Sequence, residues 1–328
     1  MRKILVTGAL GQIGSELTVA LRRRYGADQI IASDIRMPRK AGDVPGAPGE
    51  AAPGPIELID CTQPHQLHEV VRRHDIGVIY HLAALLSAVA EEKPQIAWSL
   101  NMGGLYNVME VARQYGCAVF FPSSIGAFGP GTPRDQTPQE TIQRPSTMYG
   151  VTKVAGELLC DYYALRFDVD ARGLRLPGLI SYTAPPGGGT TDYAVEIFRH
   201  AIRYGRYTCF LRADTRLDMM YMPDAVRAMI ELMEADPAGL LHRNAFNITA
   251  MNFTPAELAD AIAARMPGFE IDYEVDDDRQ AIADSWPRTL DDSAARAEWG
   301  WRPEFDIAAM CDDMLEKMRE AANIARAS

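Results

Sequence analysis

The chain has little that would suit a membrane, a nucleic acid or a secreted protein. Its 328 residues include no run of about 18 apolar residues, so no membrane-spanning helix is expected. A formal net charge of −11 argues against a general nucleic-acid binder, which needs a basic face to neutralise phosphates. The opening segment MRKILVTG leads directly into a strand pattern, so no signal or transit peptide is expected. These features predict a cytoplasmic protein without nucleic-acid or membrane partners.

Cysteine is sparse and unpaired in the sequence. There is no CxxC pair and no His/Cys cluster at metal-ligand spacing among the five cysteines, which are Cys61, Cys117, Cys160, Cys209 and Cys311. Scattered cysteines in a chain of this length indicate reduced thiols rather than a disulfide framework. We therefore expect neither disulfides nor a bound metal.

Apolar runs rich in β-branched residues alternate with amphipathic stretches. Strands are predicted at residues 2–7, 29–33, 56–59, 78–82, 118–122 and 170–176. Helices are predicted at residues 12–25, 64–74, 98–115, 149–166, 192–204 and 223–234. Near-continuous apolar strands separated by helices indicate a parallel sheet covered on both faces, the doubly wound α/β (Rossmann) pattern.

The pattern divides the chain unequally. Residues 1–175 carry the regular alternation and are assigned to a dinucleotide-binding domain, to which some later segments return. Residues 176–328 are less regular and are assigned mainly to a smaller mixed α/β region that binds substrate. Within it, Thr254-Pro255-Ala256-Glu257 predicts a capping box at the start of a helix. Residues 38–55, rich in Pro, Gly and Ala, predict a long surface loop.

A glycine turn joins the first strand to the first helix. In Thr7-Gly8-Ala9-Leu10-Gly11-Gln12-Ile13-Gly14, Gly8 permits the tight turn, Gly11 lets the backbone approach a pyrophosphate, and Gly14 lets the helix pack closely. The helix N-terminus then offers free N–H donors to the phosphate charge. The turn therefore predicts a dinucleotide cofactor.

Asp34 ends the second predicted strand, 20 residues after Gly14. A carboxylate there accepts hydrogen bonds from the adenosine ribose hydroxyls and repels a 2′-phosphate. Arg36 lies close by and could accept such a phosphate, but the position of Asp34 favours NAD over NADP.

Tyr149 and Lys153 form a YxxxK motif. On a helix, positions i and i+4 share a face, so both side chains can point at one cleft. An unperturbed phenol has a pKa of about 10, and a nearby cation favours the phenolate. This pair predicts a general base for a hydroxyl proton.

Further segments, in chain order, resemble the extended branch of the short-chain dehydrogenases/reductases. The glycines have the GxxGxxG spacing of that superfamily, Asp60 follows the third strand, and His81-Leu82-Ala83-Ala84 and Phe121-Pro122-Ser123-Ser124 end the fourth and fifth strands. The resemblance implies Tyr149, Lys153 and Ser124 as catalytic residues, with Ser124 bound to the reacting oxygen. The implied cofactor contacts are Gly8, Gly11, Gln12, Ile13, Gly14, Asp34, Asp60, Leu82, Ala83, Ala84, Asn101, Tyr149, Lys153 and Leu176.

Thr190 and Thr191 follow a glycine-rich turn and precede a predicted helix. On physical grounds they fit two roles equally, binding a small carboxylate or capping the helix. The wording PGGGTTDYAVEIF, together with HLAALLSA and SWPRTLDDSAARAEWGWRP, resembles the family of short-chain-type L-threonine 3-dehydrogenases. The resemblance implies oxidation of L-threonine at C3 to 2-amino-3-ketobutyrate with NAD. The implied substrate contacts are Ser87, Ser123, Ser124, Tyr149, Gly188, Thr190 and Thr191.

Two other functions stay open at this point. A UDP-sugar 4-epimerase would use the same Tyr, Lys and Ser, with Arg216 available for the pyrophosphate. A non-catalytic NAD-binding protein would have no need of Tyr149 and Lys153. The helices predicted at 98–115 and 149–166 are long enough to pair across a two-fold axis, which predicts a homodimer and leaves a tetramer open.

Overall fold

A computed structural model describes residues 2–37, 54–183 and 189–327. The strands are β1 (Lys3–Thr7), β2 (Ile30–Asp34), β3 (Ile56–Leu58), β4 (Ile76–His81), β5 (Ala118–Ser124), β6 (Ala171–Leu176), β7 (Gly178–Ile180), β8 (Arg206–Cys209), β9 (Leu217–Tyr221), β10 (Phe246–Asn247), β11 (Met251–Phe253) and β12 (Glu270–Tyr273). The helices are α1 (Gln12–Tyr25), α2 (Pro64–His74), α3 (Ser87–Glu92), α4 (Pro94–Trp98), α5 (Gly104–Tyr115), α6 (Met148–Phe167), α7 (Tyr193–Tyr204), α8 (Met222–Glu234), α9 (Pro255–Ala263), α10 (Asp277–Ser285), α11 (Ser293–Glu298) and α12 (Ile307–Ala327).

The central sheet has the strand order β10-β6-β5-β4-β1-β2-β3, and its paired strands run parallel. Successive residues of β1 alternate between its two faces. Leu5 packs with α2, α5 and α6, whereas Ile4 and Val6 pack with α1 and α8. Burial on both faces explains why the strands are almost continuously apolar. The predicted doubly wound α/β fold is confirmed.

Strand order reverses between β1 and β4, since β1 is followed by β2 on one side and β4 by β5 on the other. In sheets of this kind the carboxyl ends of the strands open into a crevice at the point of reversal. The strand ends at this edge include Thr7, His81, Ser124 and Leu176.

A second, smaller layer follows β6. It contains a mixed sheet of β11, β9 and β7 and a parallel pair of β12 and β8. Its core is formed by α7, α9 and α12, with Tyr193, Phe198 and Met314 fully buried. The chain also returns to the first sheet, because α8 packs on α1 and β10 pairs with β6.

The helix predicted at 98–115 is confirmed, but it contains a π-helical turn. Helix α4 ends at Trp98, a π-helical turn occupies Ser99–Gly103, and α5 begins at Gly104. The wider turn inserts an extra residue into the helical spacing, and such turns occur often at functional sites. The predicted 38–55 loop lies almost entirely outside the described residues.

Three smaller expectations can be compared with the structure. The capping box is confirmed, with Thr254 and Glu257 each accepting from the other's backbone N–H. All five cysteines are free and buried. Among the described residues, no helix has the length and apolarity needed to span a bilayer, and no group of His, Cys, Asp and Glu side chains could hold a metal.

Candidate active site

The glycine turn forms a cradle at the N-terminus of α1. Gly8 has a φ of +69°, and a Cβ on it would lie 2.8 Å from the Ala83 backbone nitrogen. A Cβ on Gly14 would collide with the Gly8 carbonyl oxygen. No side chain caps the helix, so its first N–H groups remain available to an anion. The buried Gln12 Nε2 also has no partner among the described residues, which leaves one more donor at this edge.

Asp34 ends β2 with its side chain buried against this turn. Its carboxylate accepts from Leu10 N at 3.1 Å and from Arg36 N at 3.3 Å. The Arg36 guanidinium lies 3.8 Å from the same carboxylate. A carboxylate has about four acceptor positions, so two remain for a ribose diol. Asp34 neutralises the Arg36 guanidinium. This arrangement suits the ribose of NAD rather than the 2′-phosphate of NADP.

Asp60 lies after β3, at the start of a turn into α2. Its Oδ1 atom accepts from Thr62 N at 2.9 Å and from Thr62 Oγ1 at 2.7 Å. These bonds fix the carboxylate as part of the turn. Its predicted contact to the cofactor stays a prediction.

The end of β4 forms the floor of the site. His81 bonds through Nδ1 to Thr7 Oγ1 at 2.9 Å, and burial together with the Lys153 charge lowers the pKa of His81 to about 3. This histidine is therefore neutral and holds β4 to β1. A small cavity beside it brings together several predicted residues, and its lining is His81, Ala83, Ala84, Asn101, Phe121, Thr152 and Lys153.

Asn101 lies in the π-helical turn and supports this floor. It accepts from Leu85 N at 2.8 Å and donates to Leu85 O at 3.2 Å and Thr152 Oγ1 at 3.1 Å. Both amide hydrogens are thus used within the protein. The side chain positions the segment after Ala84, and a direct contact of Asn101 with the cofactor stays a prediction.

Tyr149 and Lys153 lie in the first two turns of α6, whose start is fixed by Thr147 Oγ1 accepting from Gly150 N at 3.1 Å. The Lys153 Nζ atom is 5.2 Å from the centre of the Tyr149 ring. It donates to the Pro122 carbonyl oxygen at 2.6 Å. Helical spacing therefore places the ammonium directly beside the phenol, as the YxxxK motif predicted.

Burial dominates the ionisation of both groups. It raises the pKa of Tyr149 to about 12, with a hydrogen bond to Ser124 acting in the opposite direction. It lowers the pKa of Lys153 to about 8, with the charge of Glu157 acting in the opposite direction. In the protein alone, the Tyr149 phenol is protonated at neutral pH. The Lys153 charge does not offset the effect of burial on the pKa of Tyr149. A further positive charge beside the ring is needed to favour the phenolate.

Ser124 and Ser123 end β5 but differ in their surroundings. Ser124 Oγ accepts from Gly126 N at 3.1 Å and also forms a hydrogen bond with the Tyr149 phenol. Ser123 is buried below it and donates to Glu157. Successive strand residues point in opposite directions, which explains the separation. The structure gives Ser123 a partner within the protein and no support as a substrate contact.

The remaining predicted residues lie around the same strand ends. Leu176 ends β6 and pairs in register with Ser124. Ser87 is buried at the start of α3, which packs on α6. Thr190 is buried, and the Thr191 methyl group would lie 2.8 Å from a Cβ on Gly178. The second layer thus holds Thr191 against the segment that follows Leu176. Gly188 lies outside the described residues.

A buried ion pair behind Lys153 was missed in the sequence. Glu157 accepts from Arg175 Nη2 at 2.9 Å, and both side chains are almost fully buried. Arg175 also donates to Asn247 Oδ1 at 3.1 Å. The spacing of four residues between Lys153 and Glu157 was the available signal, because it places the two on one helix face.

Comparisons with known proteins agree with this geometry. The profile of the NAD-dependent epimerase/dehydratase family matches residues 4–249. This chain belongs to that family. The predicted NAD cofactor is thereby confirmed, and the glycine cradle, Asp34 and the free Gln12 amide fit it. The family and its similar structures make this chain an NAD-dependent oxidoreductase.

The similar proteins span essentially the whole chain. A Staphylococcus saprophyticus protein named an uncharacterised epimerase/dehydratase is 53% identical over 96% of this chain and 97% of its own length. The L-threonine dehydrogenase of Clostridium difficile is 54% identical, with 98% of each chain covered and a TM-score of 0.93. The holo form of the Cupriavidus necator L-threonine dehydrogenase is 51% identical, covering 96% and 99%, with a TM-score of 0.91. The resemblance predicted from the sequence is confirmed.

Proposed function

We propose that this epimerase/dehydratase oxidises L-threonine at C3 to L-2-amino-3-ketobutyrate, with Tyr149 as general base and NAD⁺ as hydride acceptor. The observation that carries the proposal is the placement of Tyr149 between Ser124 and Lys153 at the strand ends facing the glycine cradle. The choice of threonine is supported by the similarity to L-threonine dehydrogenases over the full chain.

Three side chains divide the proton chemistry. Ser124 Oγ hydrogen-bonds to the C3 hydroxyl oxygen and holds it toward the phenol. Tyr149 removes the hydroxyl proton, while Lys153 stabilises the phenolate and would hold the nicotinamide ribose of a bound cofactor. A bound NAD⁺ would supply the acceptor for the C3 hydride and a positive charge beside the ring. The products are the ketone, NADH and one proton.

The raised pKa of Tyr149 makes this cooperation necessary. Each unit by which the pKa falls from about 12 requires about 1.4 kcal/mol of preferential stabilisation of the phenolate. The positive charge of a bound cofactor would supply it, because the Lys153 ammonium is already present in the protein in which the pKa is about 12. Tyr149 therefore becomes an effective base in the assembled complex rather than in the protein alone.

For the substrate we propose contacts from Ser87, Thr190 and Thr191 to the amino and carboxylate groups, and a further contact from Gly188. Thr191 is supported by its position on Gly178, directly after the strand end that carries Leu176. Thr190 and Ser87 are supported by their burial near α7 and α6.

The second candidate is a UDP-sugar 4-epimerase, which the family profile favours. That reaction needs a cation for the nucleotide pyrophosphate, and Arg216 was the candidate. Arg216 instead donates to Asn252 Oδ1 at 3.1 Å and forms an ion pair with Glu257. These bonds leave it poorly placed for a phosphate and support threonine as substrate.

One assay separates the two. Purified protein is mixed with NAD⁺ and L-threonine, and NADH absorbance is followed. We expect NADH to form with L-threonine and no interconversion of UDP-glucose and UDP-galactose. Sugar interconversion without NADH from threonine would establish the epimerase instead.

We also propose a homodimer formed by α5 and α6. Large apolar side chains on these helices are exposed, namely Tyr106 at 51%, Leu158 at 62%, Tyr162 at 54% and Leu165 at 90%. A contiguous apolar surface of this kind marks an interface. Light scattering should give twice the mass of the chain, and Leu158→Lys with Leu165→Lys should give the monomer. A monomeric wild type would disprove the dimer, and four copies would indicate a tetramer.

A further inference from the structure

A polar contact joins the cofactor layer to the second layer. Glu16 lies on α1, four residues after Gln12, and therefore shares the helix face of the free Gln12 amide. Its carboxylate accepts from Ser181 Oγ, which lies just after β7 and is fully buried. Ser181 Oγ in turn accepts from Thr183 N at 3.1 Å. One carboxylate thus fixes both the side chain and the backbone turn of the segment 181–183.

This segment connects the two ends of the proposed site. Strand β7 begins at Gly178, against which Thr191 packs, and ends directly before Ser181. The contact at Glu16 therefore fixes the end of the strand against which Thr191 packs.

Glu16 is an unusual residue for a contact that only holds two layers together. Burial raises the pKa of Glu16 above its ordinary value. Lys317 compensates part of this, but its ammonium lies 3.0 Å from Asp313, which already neutralises it. A pyrophosphate held at the N-terminus of α1 would lie about one helical turn from this carboxylate, and the two charges would repel. What Glu16 contributes is therefore the acceptor oxygen that it offers to Ser181 rather than its charge.

We propose that Glu16 is a positioning residue for the substrate, acting through Ser181 and β7 to hold Thr191 in register with the cofactor cradle. The proposal rests on the proposed function, in which Thr191 is a substrate contact. It assigns Glu16 an effect on threonine binding and no direct part in the chemistry.

Kinetics of three variants test the role. Glu16→Ala and Ser181→Ala should each raise KM for L-threonine about tenfold, the effect of losing one hydrogen bond to a charged group. The kcat value and the NAD⁺ Kd should change less than about twofold, since neither reacting atoms nor cradle are altered. Glu16→Gln keeps an acceptor oxygen and should stay near wild type. The double variant should raise KM by less than the product of the two single effects, because both substitutions remove the Glu16–Ser181 contact.

A matched control is another contact made by α1. Glu234 on α8 pairs with Arg24 of α1, 2.6 Å apart, and has no link to 181–183. Glu234→Ala therefore removes a contact between α1 and another element without affecting the substrate segment. It should leave KM for threonine unchanged. An equal rise in KM for Glu234→Ala, or no rise for Glu16→Ala, would overturn the proposal.

Hydrogen exchange gives a readout independent of turnover. With NAD⁺ bound, amides of residues 189–193 should exchange faster in Glu16→Ala than in wild type, while those of α6 stay unchanged. Equal exchange in both proteins would overturn the positioning role. Absence of NADH from threonine with the wild type would instead disprove the proposed function, so the two failures are distinguishable.

Discussion

The two ends of the proposed site are held in different ways. At the cofactor end, neighbouring residues do the work, since Gly8, Gly11 and Gly14 shape one turn and Asp34 accepts from its backbone. At the substrate end, Thr191 is placed by β7, and β7 by a mixed sheet formed from distant segments. Because its geometry is local, the cofactor end is rigid and can be predicted from sequence spacing. Long-range packing makes the second end dependent on how two layers meet.

The largest loss of activity is expected where the cofactor end and the substrate end meet, at Tyr149. Tyr149→Phe removes the proposed base and should lower kcat by about 10²- to 10⁴-fold. Binding of NAD⁺, measured by calorimetry, should persist because the cradle is unchanged. Tyr204→Phe, at the exposed C-terminal end of α7, is the matched control and should keep full activity. Full activity of Tyr149→Phe would remove the proposed mechanism.

The cofactor end is tested by Gly14→Ala. Its Cβ would collide with the Gly8 carbonyl oxygen and lie 2.8 Å from Ala9 Cα, so α1 must move away from the turn. We expect a loss of about 1–3 kcal/mol in the free energy of unfolding and at least a ~10-fold rise in the NAD⁺ Kd from the displaced helix N-terminus. Gly103→Ala meets no atom within 4 Å and lies in helical backbone, so it should leave the NAD⁺ Kd unchanged and raise the free energy of unfolding by at most about 1 kcal/mol. Unchanged NAD⁺ binding in Gly14→Ala would show that the close packing of the glycine turn on α1 does not determine cofactor binding.

The substrate end is tested by a matched pair at Thr191. Thr191→Val keeps the shape packed on Gly178 and removes the hydroxyl, whereas Thr191→Ser keeps the hydroxyl. Loss of one hydrogen bond to a charged group should raise KM for L-threonine about tenfold in Thr191→Val, with kcat little changed. Thr191→Ser should stay closer to wild type. The reverse order would show that the residue acts by packing alone.

The smallest effect concerns the ion pair behind Lys153. The Glu157 charge raises the pKa of Lys153, which burial lowers to about 8. In Glu157→Gln that support is lost, so the ammonium should lose its proton at lower pH. The alkaline limb of the kcat/KM profile should therefore move to lower pH, by less than about one unit. A thermal melt checks that the variant is folded. If the alkaline limb of a folded variant does not move, the Glu157 charge does not support the pKa of Lys153.

Sequence reasoning reached the cofactor end more fully than the substrate end. The glycine turn, Asp34 and the Tyr149–Lys153 pair depend on short spacings, and the structure places them as expected. The π-helical turn inside the predicted helix at 98–115 was not expected, because hydrophobic periodicity does not register a single extra residue in a turn. Asn101 lies in that turn and bonds to Leu85 and Thr152, where it supports the floor of the site.

The sequence by itself determined the doubly wound sheet, the NAD-binding turn and the shared helix face of Tyr149 and Lys153. Each follows from strand or helix periodicity within a few residues. Only the tertiary structure decided that Ser124 rather than Ser123 lies at the phenol, that Arg216 is bound to Glu257, and that Glu16 reaches Ser181. These depend on which face of one element meets another far away in the chain, and packing of the whole fold fixes that choice.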